Sequence, residues 1–258
     1  MADPSLRVAR AGDAVWVTLN RPPLNLLEPT ILRALAETFS GLASDPTVRV
    51  AVITGSGRAF TAGMDVRVLR DLDVAGAKAL IATVHAAIAS VHDAPFPVIA
   101  ALNGPALGAG FELALACDLR FAASGALLGL PEVRVGVPSV VEAALLPAMV
   151  GPGRAAEMLF SGESITAETA LASGLVNRVL PLDALRETVE AVTAKILACG
   201  PSAIRLQKEL IIHWRQTDLR SAVQYGINAF AAAYATGEPR EGAVAFLEKR
   251  PPKFRTGP

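Results

Sequence analysis

Two acidic residues stand in surroundings where an ordinary surface carboxylate is not expected. Glu112 interrupts the apolar run Phe111-Glu112-Leu113-Ala114-Leu115-Ala116-Cys117, and Glu132 closes Leu127-Leu128-Gly129-Leu130-Pro131-Glu132. A charge in such a setting must be exposed, paired or functional, because burying it alone is costly. Just ahead of Glu112, Asn103-Gly104-Pro105 and Gly108-Ala109-Gly110 end a β-rich run and lead into a helix-favouring one. A strand, a tight turn and a helix start leave several backbone N–H groups unpaired at one point. The helix dipole adds partial positive charge there, which suits a negative atom. Two carboxylates beside such a turn point to acid/base chemistry on a group that becomes an oxyanion. The ordinary alternative pairs each acid with an arginine such as Arg120 or Arg134. For either acid alone that reading is the better one, and the glycine turn shifts the balance.

A second glycine turn follows an earlier strand, at Thr61-Ala62-Gly63-Met64-Asp65. If the fold joins the two turns, the N–H groups of Met64 and Ala109 can point at one oxygen. Structural duty would explain each glycine singly; only the pairing favours function. Other chemistries lack their signatures. Gly104 to Gly110 has no Lys-Ser/Thr and does not spell the dinucleotide fingerprint, and no Gly-x-Ser-x-Gly elbow exists. His85, His92 and His213 make no metal-ligand spacing with cysteines or acids, so metal catalysis is disfavoured. Cys117 lies in an apolar helix and reads as core.

These residues need a layered α/β scaffold to position them. Residues 5–10 and 14–19 flank Gly12-Asp13 as a β-hairpin, and 20–29 is a loop. A helix covers about 30–43 with Pro29 in its first turn, and a buried strand covers 48–54. A helix spans 75–92 and leads to the central strand 97–102. After the helix bearing Glu112 come a strand at 119–122, the Glu132 loop, a helix over 139–150 and another ending near Phe160. Thr166 is expected to cap a helix, and 175–180 to form a strand. Four helices then cover 183–198, 201–215, 218–236 and 239–248. Cys199-Gly200-Pro201 is the best internal boundary, dividing a core of 1–198 from a helical region of 199–258. Trp214, Tyr225, Phe230 and Tyr234 mark apolar faces on that tail, suited equally to packing on the core or on another subunit.

Composition narrows the class. The 258 residues are 52% hydrophobic and 19% charged, enough for a substantial core. Lys and Arg total 24 and Asp and Glu total 24, for a net charge of zero; that balance argues against broad electrostatic binding of nucleic acid. The first twenty residues hold Asp3, Arg7, Arg10 and Asp13 without an apolar stretch, so no secretory signal is read. The apolar stretch 94–117 is broken by prolines, glycines and Glu112 and reads as core rather than a membrane span. A cytoplasmic setting is expected.

Taken in order, several segments resemble the enoyl-CoA hydratase/isomerase (crotonase) family over nearly the whole chain. Asn20-Arg21-Pro22 with Asn25 looks like that family's early segment. Arg58-Ala59-Phe60-Thr61-Ala62-Gly63-Met64-Asp65 is similar to its first oxyanion-hole loop, and Asn103 through Glu112 to its second. Cys117-Asp118-Leu119-Arg120, Pro131-Glu132, Ala170 through Val179 and Arg240 through Arg250 follow at family spacing. The resemblance implies a spiral of ββα turns with C-terminal helices that mediate a homotrimer or a dimer of trimers, and a role in fatty acid metabolism. It implies an acyl-CoA substrate whose thioester carbonyl is gripped by the N–H groups of Met64 and Ala109, with coenzyme A as part of the substrate and no other cofactor. By the same analogy Glu112 holds and activates water, and Glu132 gives the proton to the α-carbon. Ala62, Asp65, Arg67 and Gly108 belong to the substrate and coenzyme A site, together with Phe246 and Lys249 from the tail.

Having both glutamates favours hydration of a 2-enoyl-CoA. Double-bond isomerisation and thioester hydrolysis use the same oxyanion hole and are the alternatives within the family; a non-catalytic acyl-CoA-binding protein is the alternative outside it. Three departures bear on this choice. Ala109 adds a methyl where a glycine is usual, and Leu130 makes the surroundings of Glu132 drier. Gly136-Val137-Pro138-Ser139-Val140-Val141-Glu142 replaces a glycine-rich continuation and adds a third acid, Glu142, read as a surface helix acid or as a repositioned base.

Overall fold

The computed structural model describes residues 5–254. The hairpin forms as expected: β1 (Leu6–Ala11) pairs antiparallel with β2 (Ala14–Leu19), with Ala11 opposite Ala14 across the turn. Helix α1 (Pro29–Ala43) starts on Pro29 and buries Ile31, Leu32, Leu35 and Phe39, the i, i+4, i+8 stripe of an amphipathic helix. Strand β3 (Val50–Gly55), the single turn α2 (Val66–Leu69), helix α3 (Val74–His92) and strand β4 (Val98–Leu102) follow. Helix α3 is long and apolar enough to cross a membrane by length and composition. Here it packs on α1, with Val84, Ala87, Ile88 and Val91 buried.

Next come β5 (Ala106–Leu107), α4 (Ala109–Ala116), β6 (Leu119–Ala123) and β7 (Leu127–Gly129). Beyond two short 3₁₀ turns, Glu132–Val135 and Val141–Leu145, lie α5 (Leu146–Val150), α6 (Pro152–Ser161), β8 (Ile165–Thr166), α7 (Ala167–Ala172) and β9 (Arg178–Leu180). The chain ends in α8 (Leu182–Leu197), α9 (Pro201–Trp214), α10 (Leu219–Ala233) and α11 (Glu238–Leu247). The main sheet runs β1-β2-β3-β4-β6-β9, parallel from β2 onward, and a small second sheet runs β5-β7-β8. The central strand β4 is buried throughout, which explains its unbroken apolar sequence.

Several expectations need correction. Residues 139–150 are not one helix: Val141 takes φ 41°, a conformation that costs a β-branched residue about 1–3 kcal/mol, and the chain makes a 3₁₀ turn before α5. The strand at 175–180 begins only at Arg178. The second sheet escaped the sequence because its strands are two or three residues long. Thr166 does cap α7, accepting from the Thr169 N–H.

The helical tail is tied to the sheet by polar contacts as well as packing. Lys208 on α9 reaches Asp118 at 2.7 Å with almost no exposure. Glu238 accepts from the N–H groups of Ser202 and Ala203 at the start of α9, filling a cap that the sequence of that helix does not supply. His213 stacks on Tyr225, and the Trp214 indole donates to the Ala222 carbonyl. Trp214 and Tyr225 nevertheless stay partly open, and Phe230, Tyr234 and Phe246 are more exposed still.

Candidate active site

The two glycine turns meet. Thr61 pairs with Ala106 in an isolated parallel bridge. The Thr61 N–H donates to Pro105 O at 3.1 Å and the Leu107 N–H to Thr61 O at 3.0 Å. This short ladder sets Gly63 against the second turn. At φ +82°, a Cβ on Gly63 would fall 2.5 Å from the Leu107 carbonyl oxygen and 3.4 Å from the Ala109 nitrogen. Only glycine allows that approach. Among the described residues, neither the Met64 nor the Ala109 N–H donates to an acceptor in the chain. Ala109 opens α4, where unpaired N–H groups and the helix dipole coincide.

Asn25 explains how the early loop serves this site. It is fully buried, at φ 52°, and its amide donates to Ala59 O at 2.8 Å, Ser56 O at 2.9 Å and Phe60 O at 3.2 Å. The backbone adds Ala62 N–H to Leu24 O and Leu27 N–H to Gly63 O, both 2.9 Å. The loop carrying Gly63 and Met64 is thus pinned on both sides of Gly63.

Glu112 and Glu132 face one cavity of about 560 Å³, together with Ala62, Met64, Gly108 and Ala109. Its outer walls are apolar, from Leu69, Leu72 and Ile81 on one side to Val135, Val137 and Val140 on the other. Among the described residues, neither acid pairs with an arginine. Arg120 is buried and donates to the carbonyls of Leu175, Ala114 and Cys117; Arg134 donates to Ser161 O. The ordinary explanation of the two acids therefore fails here.

Their settings differ. Glu112 is 2% exposed, and its Oε1 is buried without a hydrogen-bond partner. Burial pushes its carboxyl up to about 8, helped by the charges of Glu132 and Glu142 and partly offset by the N–H groups of Ala143 and Val140. Glu132 is half-buried on the 3₁₀ turn. The Ser139 hydroxyl donates to its Oε2 at 2.7 Å. Its Oε1 overhangs Gly108, where a Cβ would come within 2.9 Å. Leu130 is fully buried, yet Glu132 itself is half-buried and Glu112 is the drier of the two acids.

Glu142 is not a surface acid. The turn started by Val141 points it inward, where it is 7% exposed and meets His85 Nδ1 of α3 at 2.8 Å. Sequence reasoning does not single out Ser139 or His85 as a site residue. A serine seven residues beyond a candidate acid is the available signal for the first; the partner of Glu142 has no local signal.

The remaining sequence-derived positions are less central. Asp65 caps α2 through the Arg67 N–H and also forms an ion pair with the Arg67 side chain. That pairing holds the Asp65 carboxyl below its usual range. Arg67, Phe246 and Lys249 do not line the cavity within one chain. Phe246 is exposed at the end of α11, and Lys249 follows it at φ 54°.

The arrangement places Met64 and Ala109, whose N–H groups have no acceptor among the described residues, and two carboxyl groups of unlike environment on one largely apolar cavity. Comparisons with known proteins agree with it. The family described as enoyl-CoA hydratase/isomerase matches residues 11–257. A crotonyl-CoA hydratase of Syntrophomonas wolfei is 38% identical over 92% of this chain and 92% of its own length. A 2,3-dehydroadipyl-CoA hydratase of Escherichia coli is 36% identical over 97% and 98%. The crystal structure of an enoyl-CoA hydratase from Bacillus anthracis superposes with a TM-score of 0.94 at 34% identity, over 98% of this chain and all of that one.

Proposed function

The chain belongs to the enoyl-CoA hydratase/isomerase family, and we propose that it acts there as an enoyl-CoA hydratase, adding water across the double bond of a 2-enoyl-CoA. One observation carries the reading: both glutamates line the same cavity as Met64 and Ala109. The thioester oxygen takes the N–H groups of Met64 and Ala109. Conjugation then draws electrons from the β-carbon toward that oxygen, and the enolate charge rests on fixed donors in a dry site. Each such donor is worth roughly 3 kcal/mol of transition-state stabilisation.

Water held by Glu112 attacks the β-carbon and leaves its proton on that carboxylate, while Glu132 gives a proton to the α-carbon. The glutamate pair thus carries one proton at the start and one at the end. Ser139 fixes the Glu132 oxygen that does not face Gly108. The substrate is an acyl-CoA with an apolar acyl portion, as the valine and leucine walls favour, and coenzyme A enters as part of it. Incubation with crotonyl-CoA and mass detection tests this. A product heavier by one water with the thioester intact supports hydration; free coenzyme A or an isomer of unchanged mass contradicts it.

The assembly is a homotrimer or a dimer of trimers, in a cytoplasmic setting. Leu219, Val223, Ile227 and Phe230 form an exposed apolar stripe along α10, of the kind that subunit contact covers. Light scattering of the purified protein gives the mass that checks it.

A further inference from the structure

Glu142 has no part in the two-glutamate scheme, yet it is built into the site. It is 7% exposed, its Oε1 meets His85 Nδ1 at 2.8 Å, and its Oε2 is buried without a partner. Its 3₁₀ turn packs on both α4, which carries Glu112, and α3, which carries His85. Glu112 likewise has one buried oxygen without a partner. A strained Val141 at φ 41° introduces the turn. A buried acid with an unsatisfied oxygen is an expensive feature and calls for a reason. His85 is the outward end of the arrangement, its side chain 58% exposed.

We propose that Glu142 and His85 form a back route for protons, leading from Glu112 through the protein to the solvent face of α3. The proposal rests on the hydratase reading above. After water addition the proton lies on Glu112 and Glu132 is bare, whereas the next turnover needs the reverse. Glu112 passes its proton to Glu142 Oε2, directly or through one water bridging the two unsatisfied oxygens. Glu142 turns that proton onto His85 Nδ1, giving imidazolium and carboxylate, and the exposed ring swings to release the Nδ1 proton to solvent and returns with Nδ1 free to accept again. Glu132, only half-buried, takes one proton from solvent once product leaves, so the count closes. The route works while an acyl-CoA fills the front of the cavity. Glu142 and His85 are positioning residues here; neither touches substrate. The other titratable groups facing this route are Glu132 and, from α3, His92.

The test compares wild type with Glu142→Gln, which keeps the shape, and His85→Ala, whose site is exposed. With crotonyl-CoA, both variants are expected to lose about tenfold or more in kcat with KM unchanged, a loss on the scale of an assisted proton transfer. Added imidazole is expected to restore His85→Ala and not Glu142→Gln. Unchanged kcat in both variants, or a loss in His85→Ala that imidazole does not relieve, overturns the route. A second measurement needs no turnover: infrared titration of the Glu112 carboxyl, identified by its disappearance in Glu112→Gln. Removing the Glu142 charge is expected to move its midpoint to lower pH; an unmoved midpoint overturns the link between the two acids. A wild type that leaves crotonyl-CoA unchanged counts against the hydratase reading alone, since the titration still judges the link.

Discussion

Ser139 donates its hydroxyl to Glu132 Oε2 at 2.7 Å, fixing one oxygen of a carboxylate whose other oxygen overhangs Gly108. Removing the hydroxyl frees the carboxylate to rotate without altering the apolar walls. Ser139→Ala is expected to lower kcat roughly 10- to 100-fold, the worth of one hydrogen bond to a charged group, with little change in KM. Steady-state kinetics checks this; a variant with wild-type kcat would show that Glu132 needs no such partner.

Gly108 bears on the same carboxylate from below. It holds φ +56°, and an added Cβ would press within 2.9 Å of Glu132 Oε1. Gly108→Ala combines backbone strain of about 1–2 kcal/mol with displacement of the proton donor. A fall in kcat/KM well beyond any loss of thermal stability is expected, and parallel kinetics and melting curves separate the two.

Burial of Glu112 makes two pH predictions. Its proton is held up to about 8, so the glutamate pair loses its last proton above that value, and kcat/KM should fall as pH rises through about 8. Stability responds to the same burial. Below the ordinary carboxylate value Glu112 is neutral in both states; between there and about 8 only the unfolded chain ionises, which favours unfolding. Glu112→Gln removes that penalty. It should stabilise the protein at pH 9 by a few kcal/mol more than at pH 4, on the order of 1.4 kcal/mol for each tenfold change in proton affinity between the folded and unfolded chain. Thermal denaturation of both proteins at both pH values gives the comparison, and equal effects would show that Glu112 ionises normally.

Asn25 holds the loop leading to Gly63 through three carbonyl oxygens. Asn25→Ala leaves those acceptors without their donor and forces alanine into positive φ. A stability loss of roughly 2–4 kcal/mol is expected, with kcat reduced because the loop carrying Met64 is no longer held. Denaturant unfolding and kinetics together check it.

Much of this was legible in the sequence because local rules and the fold agree. The unbroken apolar run of β4 marked a strand buried on both faces, Pro29 marked the start of α1, and each glycine turn followed a strand. Glu112 and Glu132 were conspicuous because apolar neighbours leave a carboxylate few ordinary uses. What escaped depends on distant contacts or on a single torsion. The two-residue strands of the second sheet carry no periodicity. Glu142 has the sequence context of a surface helix, and only the positive φ at Val141 turns it inward to His85, fifty-seven residues earlier in the chain.

The central claim is that Glu112 and Glu132 act together on one enoyl thioester. The most direct test is the loss of conjugated enoyl absorbance from crotonyl-CoA, followed for wild type, Glu112→Gln and Glu132→Gln. Wild type should consume the chromophore and form a water adduct, and each variant should be slower by about 10²-fold or more while still binding the thioester. Retention of wild-type turnover by either variant would contradict the account.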